Sequence, residues 1–287
     1  MFKDGLLKGK RILITGGGTG LGKEIAAQYL SLGADLWICG RRGSVLDATA
    51  KELTARHGGS VRTHAVDIRD AQAVDAMAQR IWDESGPLTG LVNNAAGNFI
   101  ARTEKLSPNA FNTVVGIVLN GTFHCTQTFA RRWIAASKPG NVLNIVTTYA
   151  DCGSGFVVPS ACAKAGVLAM TRSLVVEWAK YHIRLNAIAP GPFPTEGAWS
   201  RLMPTREFED QARNSHPMKR FGRHDELANL AVYLLSSQAE YVNGECVVID
   251  GGLWLRGAGE FNDLLMLPDS AWDAMEQGRK KGGQGAS

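Results

Sequence analysis

The first stretch of this sequence able to do chemistry is a run of glycines, Thr15-Gly16-Gly17-Gly18-Thr19-Gly20-Leu21-Gly22, between an apolar run and an amphipathic one. Glycine reaches positive φ without strain and has no Cβ to hold a phosphate away from the backbone. A helix starting directly after it offers unpaired N–H groups and a partial positive charge, which suits a pyrophosphate. About twenty residues further on stands Gly40-Arg41-Arg42. Dinucleotide sites that bind a ribose 2′-hydroxyl usually place Asp or Glu there. A carboxylate would repel a 2′-phosphate, whereas a guanidinium gives it charge-assisted and often bidentate hydrogen bonds. Arg41 and Arg42 therefore point to NADP(H) rather than NAD(H). Asp67, after the third apolar run, could accept a hydrogen bond from an adenine amino group or simply cap a helix.

These residues need elements to hold them, and the periodicity supplies those elements. Arg11–Thr15, Asp35–Cys39, Val61–Val66, Leu88–Asn93, Asn141–Thr147, Arg184–Ile188 and Cys246–Ile249 read as strands. Stretches of helical period lie between them, at about Leu21–Leu32, Ser44–Arg56 and Ala71–Glu84 early in the chain. Strand and helix in alternation predict a parallel sheet covered on both faces. Right-handed crossovers make it a single-domain, doubly wound, Rossmann-type α/β fold of about seven strands over residues 1–287. Pro190–Pro204 holds four of the ten prolines and follows a strand, at the sheet edge where such folds bind ligands. It is long for a connector, so about 190–220 is expected to be a substrate loop or lid. Residues 253–287 read as a C-terminal extension.

Composition narrows the function classes. The 287 residues are 45% hydrophobic and 20% charged, which excludes wholesale disorder. No apolar run approaches the roughly 18 residues of a membrane span. The net charge of +4 is small and scattered, and the one basic cluster, Arg279-Lys280-Lys281, lies in a glycine-rich tail, so nucleic acid is not the expected partner. The five cysteines have no CxxC or other metal spacing, and the six histidines form no HExxH pair; no metal is expected. With disulfides improbable, with no room for a leader before the first strand and with no peroxisomal address at the end, a cytoplasmic setting is expected.

The glycine run, Asn93-Asn94-Ala95-Ala96-Gly97, a helix carrying Lys164, and Pro190-Gly191 together resemble the short-chain dehydrogenase/reductase family, in its order and spacing and over essentially the whole chain. One departure is informative. That family's active site is usually Tyr-x-x-x-Lys, and here the stretch is Ser160-Ala161-Cys162-Ala163-Lys164. A serine hydroxyl is far too weak an acid to replace a phenol. Tyr149 lies two residues past Thr147, itself 13 residues before Ser160, and strand periodicity could turn Tyr149 to the same side. This displaced tyrosine resembles the 2,4-dienoyl-CoA reductase branch, mitochondrial type. Asn98-Phe99, Gly153–Ser160 and Glu260–Leu264 extend the likeness.

The resemblance implies roles. Tyr149 would be the catalytic acid, with Asn98 helping it bind a thioester carbonyl. Lys164 would hold the nicotinamide ribose, Ser160 would order the site, and Asn120 would support the lysine through water. Gly16, Gly17, Gly18, Thr19, Gly20, Leu21, Arg41, Arg42, Asp67, Ile68, Asn94, Lys164, Pro190, Gly191, Pro192 and Phe193 would hold NADP(H). Arg41, Arg69, Asn98, Phe99, Ser107, Tyr149 and Arg201 would contact an acyl-CoA. The implied reaction is NADPH-dependent reduction of 2,4-dienoyl-CoA to 3-enoyl-CoA in unsaturated fatty-acid β-oxidation, by a homotetramer. A 3-oxoacyl or carbonyl reductase of the same family stands as the alternative, against which Ser160 argues. An inactive NADP-binding scaffold is a third possibility, against which the Tyr149/Lys164 pair argues.

Overall fold

The computed structural model describes residues 2–195, 199 and 205–283. Seven strands form one all-parallel sheet in the order β3-β2-β1-β4-β5-β6-β7. They are β1 Arg11–Thr15, β2 Asp35–Gly40, β3 Val61–Ala65, β4 Gly90–Asn93, β5 Gly140–Ile145, β6 Ile183–Pro190 and β7 Cys246–Ile249. The helices that matter for the site are α1 Gly20–Ser31, α2 Gly43–His57, α3 Ala71–Ser85, α4 Pro108–Val115, α5 Gly121–Ala135, α6 Tyr149–Cys152 and α7 Val158–Trp178. After these come α8 Arg206–Ser215, α9 His224–Leu235 and α10 Leu253–Ala258.

The central strands are buried on both faces, so alternate residues feed opposite cores. In β1, Ile12 and Ile14 join the cluster under α1, α2 and α9, with Tyr29, Leu36 and Ile38. Leu13, between them, joins the cluster under α3 and α5, with Trp37, Met77, Phe129 and Trp133. Each core is thereby sealed against a different helix layer, and the sheet cannot slip by one residue without exposing both sets. The chain order reverses between β1 and β4, both pairing through Thr15, which faces Cys39 on β2 and Asn93 on β4. This switch point opens a crevice at the carboxyl ends of the strands, where ligands bind in such sheets.

Two boundaries differ from the periodicity in ways that matter. Strand β6 continues to Pro190, which lies opposite Ile249. Proline is tolerated there because it is the last residue of its strand. Strand β5 stops at Ile145 rather than Thr147, and Thr148 already has helical angles (φ −57°, ψ −35°). Tyr149 is therefore the first residue of a short helix. Strand alternation does not aim it.

Candidate active site

The crevice is a cleft of about 690 Å³. Its floor at one end is the glycine turn. Gly16 and Gly20 hold φ of +66° and +54°, the left-handed region that glycine occupies without strain. A Cβ on Gly17 would sit 2.6 Å from Cγ2 of the buried Ile38, and one on Gly22 2.4 Å from Asn94 Nδ2. Thr19 precedes α1 without capping it by its side chain, so the first N–H groups of the helix face the cleft unsealed. Thr15, almost fully buried, uses its hydroxyl oxygen to accept from the backbone N–H groups of Asn94 and Ala95, both at 3.0 Å. Asn94 in turn donates to the carbonyls of Thr15 and Gly16. The β4 loop and the glycine turn are thus one rigid unit.

Arg41 and Arg42 are exposed at the same end and line the cleft together with Gly18 and Val45. No acidic side chain stands at the end of β2. The donor set there fits a 2′-phosphate, and the space left by the missing Cβ atoms fits a pyrophosphate. Gly16, Gly18, Thr19, Leu21, Asp67, Ile68, Asn94, Pro190, Gly191, Pro192 and Phe193 also line the cleft, while Gly17 and Gly20 shape it from behind.

At the other end, Tyr149, Asn98, Ser160 and Lys164 come together. Asn98 Oδ1 accepts from the Phe99 backbone N–H at 2.9 Å, which fixes the amide so that its Nδ2 faces inward. Asn98 Nδ2 donates to the Tyr149 hydroxyl at 3.3 Å, and that hydroxyl pairs with Ser160 Oγ at 3.2 Å. Lys164, one turn beyond Ser160 on α7, is buried, and its Nζ donates to the Ile145 carbonyl. Burial pushes the Lys164 ammonium down to about 8. Below that pH the site holds a positive charge in a desolvated setting.

Helix α7 is itself pinned to the sheet. Asn144 Nδ2 donates to Thr171 Oγ1 at 2.8 Å, and Asn93 Nδ2 donates both to Asn144 Oδ1 and to Thr126 Oγ1. This buried amide chain ties α5 and α7 to adjacent strands, and Thr171 shares a helix face with Lys164, seven residues before it.

Several expected contacts take other positions. Arg69 holds the Asp67 carboxylate with two nitrogens, Nη2 at 2.6 Å and Nε at 3.0 Å, and this guanidinium keeps the carboxyl below its ordinary range. Asp67 lines the cleft, and Arg69 does not. Phe99 packs inward against the cluster of Val114, Val118 and Val146. Ser107 caps α4, accepting from the Ala110 N–H at 3.2 Å. Asn120 is exposed and does not line the cleft. The cause is a π-helical turn, Gly116–Asn120, whose wider spacing puts Ile117 into the cleft and Val118 into the core. Arg201 lies outside the described residues.

The substrate end also uses residues that the sequence did not single out. Trp199 and Phe221 meet edge to face at 4.8 Å between ring centres and, with Ala212, Ser215 and Leu253, wall the cleft beyond Tyr149. Trp199, Ala212 and Ser215 come from the segment read as a lid, Phe221 from just after it, and Leu253 from the start of the extension. Their signal was only an apolar residue in an irregular stretch, which does not differ from ordinary packing. Among the described residues no helix is long and apolar enough to cross a membrane, and no group of three or more His, Cys, Asp or Glu side chains could hold a metal.

Residues 16–254 match the family profile described as "Enoyl-(Acyl carrier protein) reductase". A solved structure described as a short chain dehydrogenase from Bacillus anthracis superimposes with a TM-score of 0.78 at 42% identity, covering 85% of this chain and 96% of that one. The chain belongs to the short-chain dehydrogenase/reductase family. Within this family, a relative from Bacillus subtilis is 44% identical over 86% of this chain and 97% of its own. It is named a probable 2,4-dienoyl-CoA reductase, (2E)-enoyl-CoA-producing. A Caenorhabditis elegans relative, 43% identical over 88% of this chain and 82% of its own, is named a probable 2,4-dienoyl-CoA reductase 3, (3E)-enoyl-CoA-producing. Both the seven-stranded parallel sheet and the dienoyl-CoA reductase likeness expected from the sequence are thus met.

Proposed function

We propose that this short-chain dehydrogenase/reductase reduces 2,4-dienoyl-CoA thioesters with NADPH, giving 3-enoyl-CoA. The observation carrying the proposal is the contact between Asn98 Nδ2, the Tyr149 hydroxyl and Ser160 Oγ, in a cleft that also holds Lys164. NADPH, when bound, supplies a hydride. Gly16, Thr19, Arg41, Arg42, Ile68, Asn94 and Pro190 to Phe193 would hold it, with Arg41 and Arg42 on the 2′-phosphate and Lys164 on the nicotinamide ribose.

The protein's part is electrostatic. Adding hydride to the far carbon of a conjugated dienoyl thioester turns its carbonyl oxygen into a dienolate oxyanion. Donors placed for that oxygen lower the barrier, as an oxyanion hole does. Tyr149 and Asn98 are the two donors, and the buried Lys164 charge adds to their field in a site of low dielectric. Ser160 accepts from or donates to the phenol, holding its rotamer. Protonation at Cα then gives the 3-enoyl product. A carbonyl reductase instead needs an acid that delivers a proton directly to an alkoxide. Ser160 cannot be that acid, and this favours the dienoyl reading over a 3-oxoacyl reductase.

The test is a panel of dienoyl-, enoyl- and 3-oxoacyl-CoA, each with NADPH and NADH, for wild type and Tyr149→Phe. The proposal expects NADPH oxidation with dienoyl-CoA and a fall in kcat of about 10²-fold or more in the variant, with NADPH affinity kept. Undiminished turnover by the variant would overturn the mechanism. Turnover of 3-oxoacyl-CoA alone would overturn the substrate. The double-bond position in the product, read by NMR, separates protonation at Cα from protonation further along the chain.

Trp199, Ala212 and Ser215 from the segment 190–220 and Leu253 at the start of the C-terminal extension line the cleft, which supports reading the first segment as a substrate lid. We also propose a homotetramer in the cytoplasm, as the family resemblance implies.

A further inference from the structure

We infer that Ile100 and Phe156, exposed on the loops that follow Asn98 and Tyr149, form an apolar clasp outside the cleft lining for the pantetheine arm of an acyl-CoA, with Arg102 and Lys105 beyond it for the phosphates. The inference rests on the acyl-CoA reading above and adds the direction in which the CoA leaves the site.

Phe156 carries the argument. Its backbone sits at φ +64°, in the left-handed region, where a bulky side chain is a steric outlier. Gly153 and Gly155 stand nearby in the same loop, yet a phenylalanine occupies this strained position. Packing does not explain it, because the ring is 61% exposed. Strain kept without a packing reward is characteristic of ligand-contacting segments. The surroundings hold it in place: the Phe156 carbonyl accepts from the Ala101 N–H at 2.9 Å, joining the loop after Tyr149 to the loop after Asn98. Ile100, next to that joint, is 49% exposed, while its neighbour Phe99 turns into the core. Two apolar side chains thus stand on two tied loops, one rooted at each of the two proposed oxyanion donors.

The occupant follows by elimination. Trp199, Phe221 and Leu253 line the cleft with apolar surface that suits a fatty-acyl tail. The side of Ile100 and Phe156 is then left to the other arm of the thioester. Charge agrees with this direction. On the α8 lid helix, Glu207, Glu209 and Asp210 outnumber Arg206 and Arg213, an unfavourable course for phosphates. Past Ile100, the turn Arg102–Lys105 exposes two cations against Glu104. Reading outward from the carbonyl site, Asn98, Ile100 and then Arg102 and Lys105 follow the order thioester, pantetheine, phosphate.

The experiment compares Phe156→Gly, Phe156→Leu and Ile100→Ala with wild type. It uses a saturated, non-reducible acyl-CoA and the same acyl chain on N-acetylcysteamine, which lacks most of the arm and all the phosphates. Calorimetry with NADP⁺ present should show Phe156→Gly weakening the acyl-CoA about tenfold and the truncated thioester by no more than about twofold. Phe156→Leu and Ile100→Ala should fall between. The Tm of Phe156→Gly should rise by about 2 °C or more, because glycine relieves the left-handed torsion. Equal weakening of both thioesters would overturn the clasp in favour of an acyl-tail contact, and no weakening of either would overturn it outright. A changed sedimentation coefficient in the variants would reassign the two side chains to a contact between copies of the chain. Wild-type protein that binds no acyl-CoA would instead overturn the substrate reading beneath it.

Discussion

Asn98 donates its side-chain N–H to the Tyr149 hydroxyl across 3.3 Å, and its own amide cannot flip because Oδ1 already accepts from the Phe99 N–H. The two groups the mechanism needs as oxyanion donors are therefore aligned before any thioester arrives. A substrate oxygen entering between them replaces one contact with two, and little reorganisation is required.

Asn98→Asp tests this pair with almost no change of shape. An aspartate keeps the acceptor for the Phe99 N–H but places a second acceptor, and a negative charge, where the donor stood. The expected outcome is a loss of roughly 10²- to 10³-fold in kcat on dienoyl-CoA, with the NADPH dissociation constant unchanged within about threefold. A loss below about threefold in kcat would remove Asn98 from the mechanism.

The proposed preference for NADP(H) rests on Arg41 and Arg42. Both are exposed at the cleft with no carboxylate at the end of β2. Replacing both by alanine should lower kcat/KM for NADPH by roughly 10- to 100-fold, the worth of one or two charge-assisted hydrogen bonds, while NADH stays within about threefold. The loss should shrink as salt rises, since these charges are solvent-facing. Equal losses for the two cofactors would mean that the arginines support the loop and do not read the phosphate.

The turn proposed to hold the cofactor was legible in the sequence because its signals are local. A glycine at positive φ, a helix start and a pair of arginines act within one β–α unit, so residues 16–42 carry their own geometry. Tyr149, Ser160 and Lys164 were legible only through a spacing already met in a family, since nothing local aims them together. Even there the reason differed: the tyrosine is turned inward by the helical turn at Thr148 after β5 ends early, not by strand alternation. Other expected contacts were not legible because their side chains are taken up by neighbours close in the chain. Asn120 is rotated outward by a π turn that no composition signals, and Arg69 is held by Asp67. Ser107 is taken up by its own helix as a cap, a role its position before Pro108 and Ala110 carries equally well.

Lys164 makes a prediction about pH. Its folded-state value is about 8, below the ordinary 10.5, because its ammonium is desolvated. Between those two values the unfolded chain keeps a proton that the folded chain has lost, so stability rises with pH through that window. Below pH 8 both states are protonated and the cost of burying the charge is fully present. Lys164→Met should therefore be more stable than wild type at pH 7, by about 1–3 kcal/mol from the size of the shift less the lost hydrogen bond to Ile145. That advantage should narrow as pH approaches 10. NADPH binding to wild type should weaken above about pH 8 as the ammonium is lost, and the variant, bound more weakly throughout, should show no such limb. A variant less stable at pH 7 would show that the lysine is structural.

Gly17 and Gly22 give the last prediction, because the same substitution meets different obstacles at the two positions. At Gly17 a new Cβ would lie 2.6 Å from Cγ2 and 2.8 Å from Cβ of Ile38. At Gly22 it would lie 2.5 Å from the Gly16 carbonyl oxygen and 2.4 Å from Asn94 Nδ2. A side chain can be trimmed and a backbone carbonyl cannot. Each alanine variant should lose about 1–3 kcal/mol of stability through overpacking, and about tenfold or more in NADPH affinity as the turn is pushed outward. Adding Ile38→Ala should recover part of the Gly17→Ala affinity loss, with a coupling of roughly 0.5–1.5 kcal/mol in the double-mutant cycle. The recovery is partial because the Ile38 Cβ remains. The same Ile38→Ala change should couple negligibly to Gly22→Ala, whose obstacles are the Asn94 amide and the turn's own backbone. Equal coupling at both positions, measured by NADPH titration, would show that the glycines serve general flexibility and not these two close approaches.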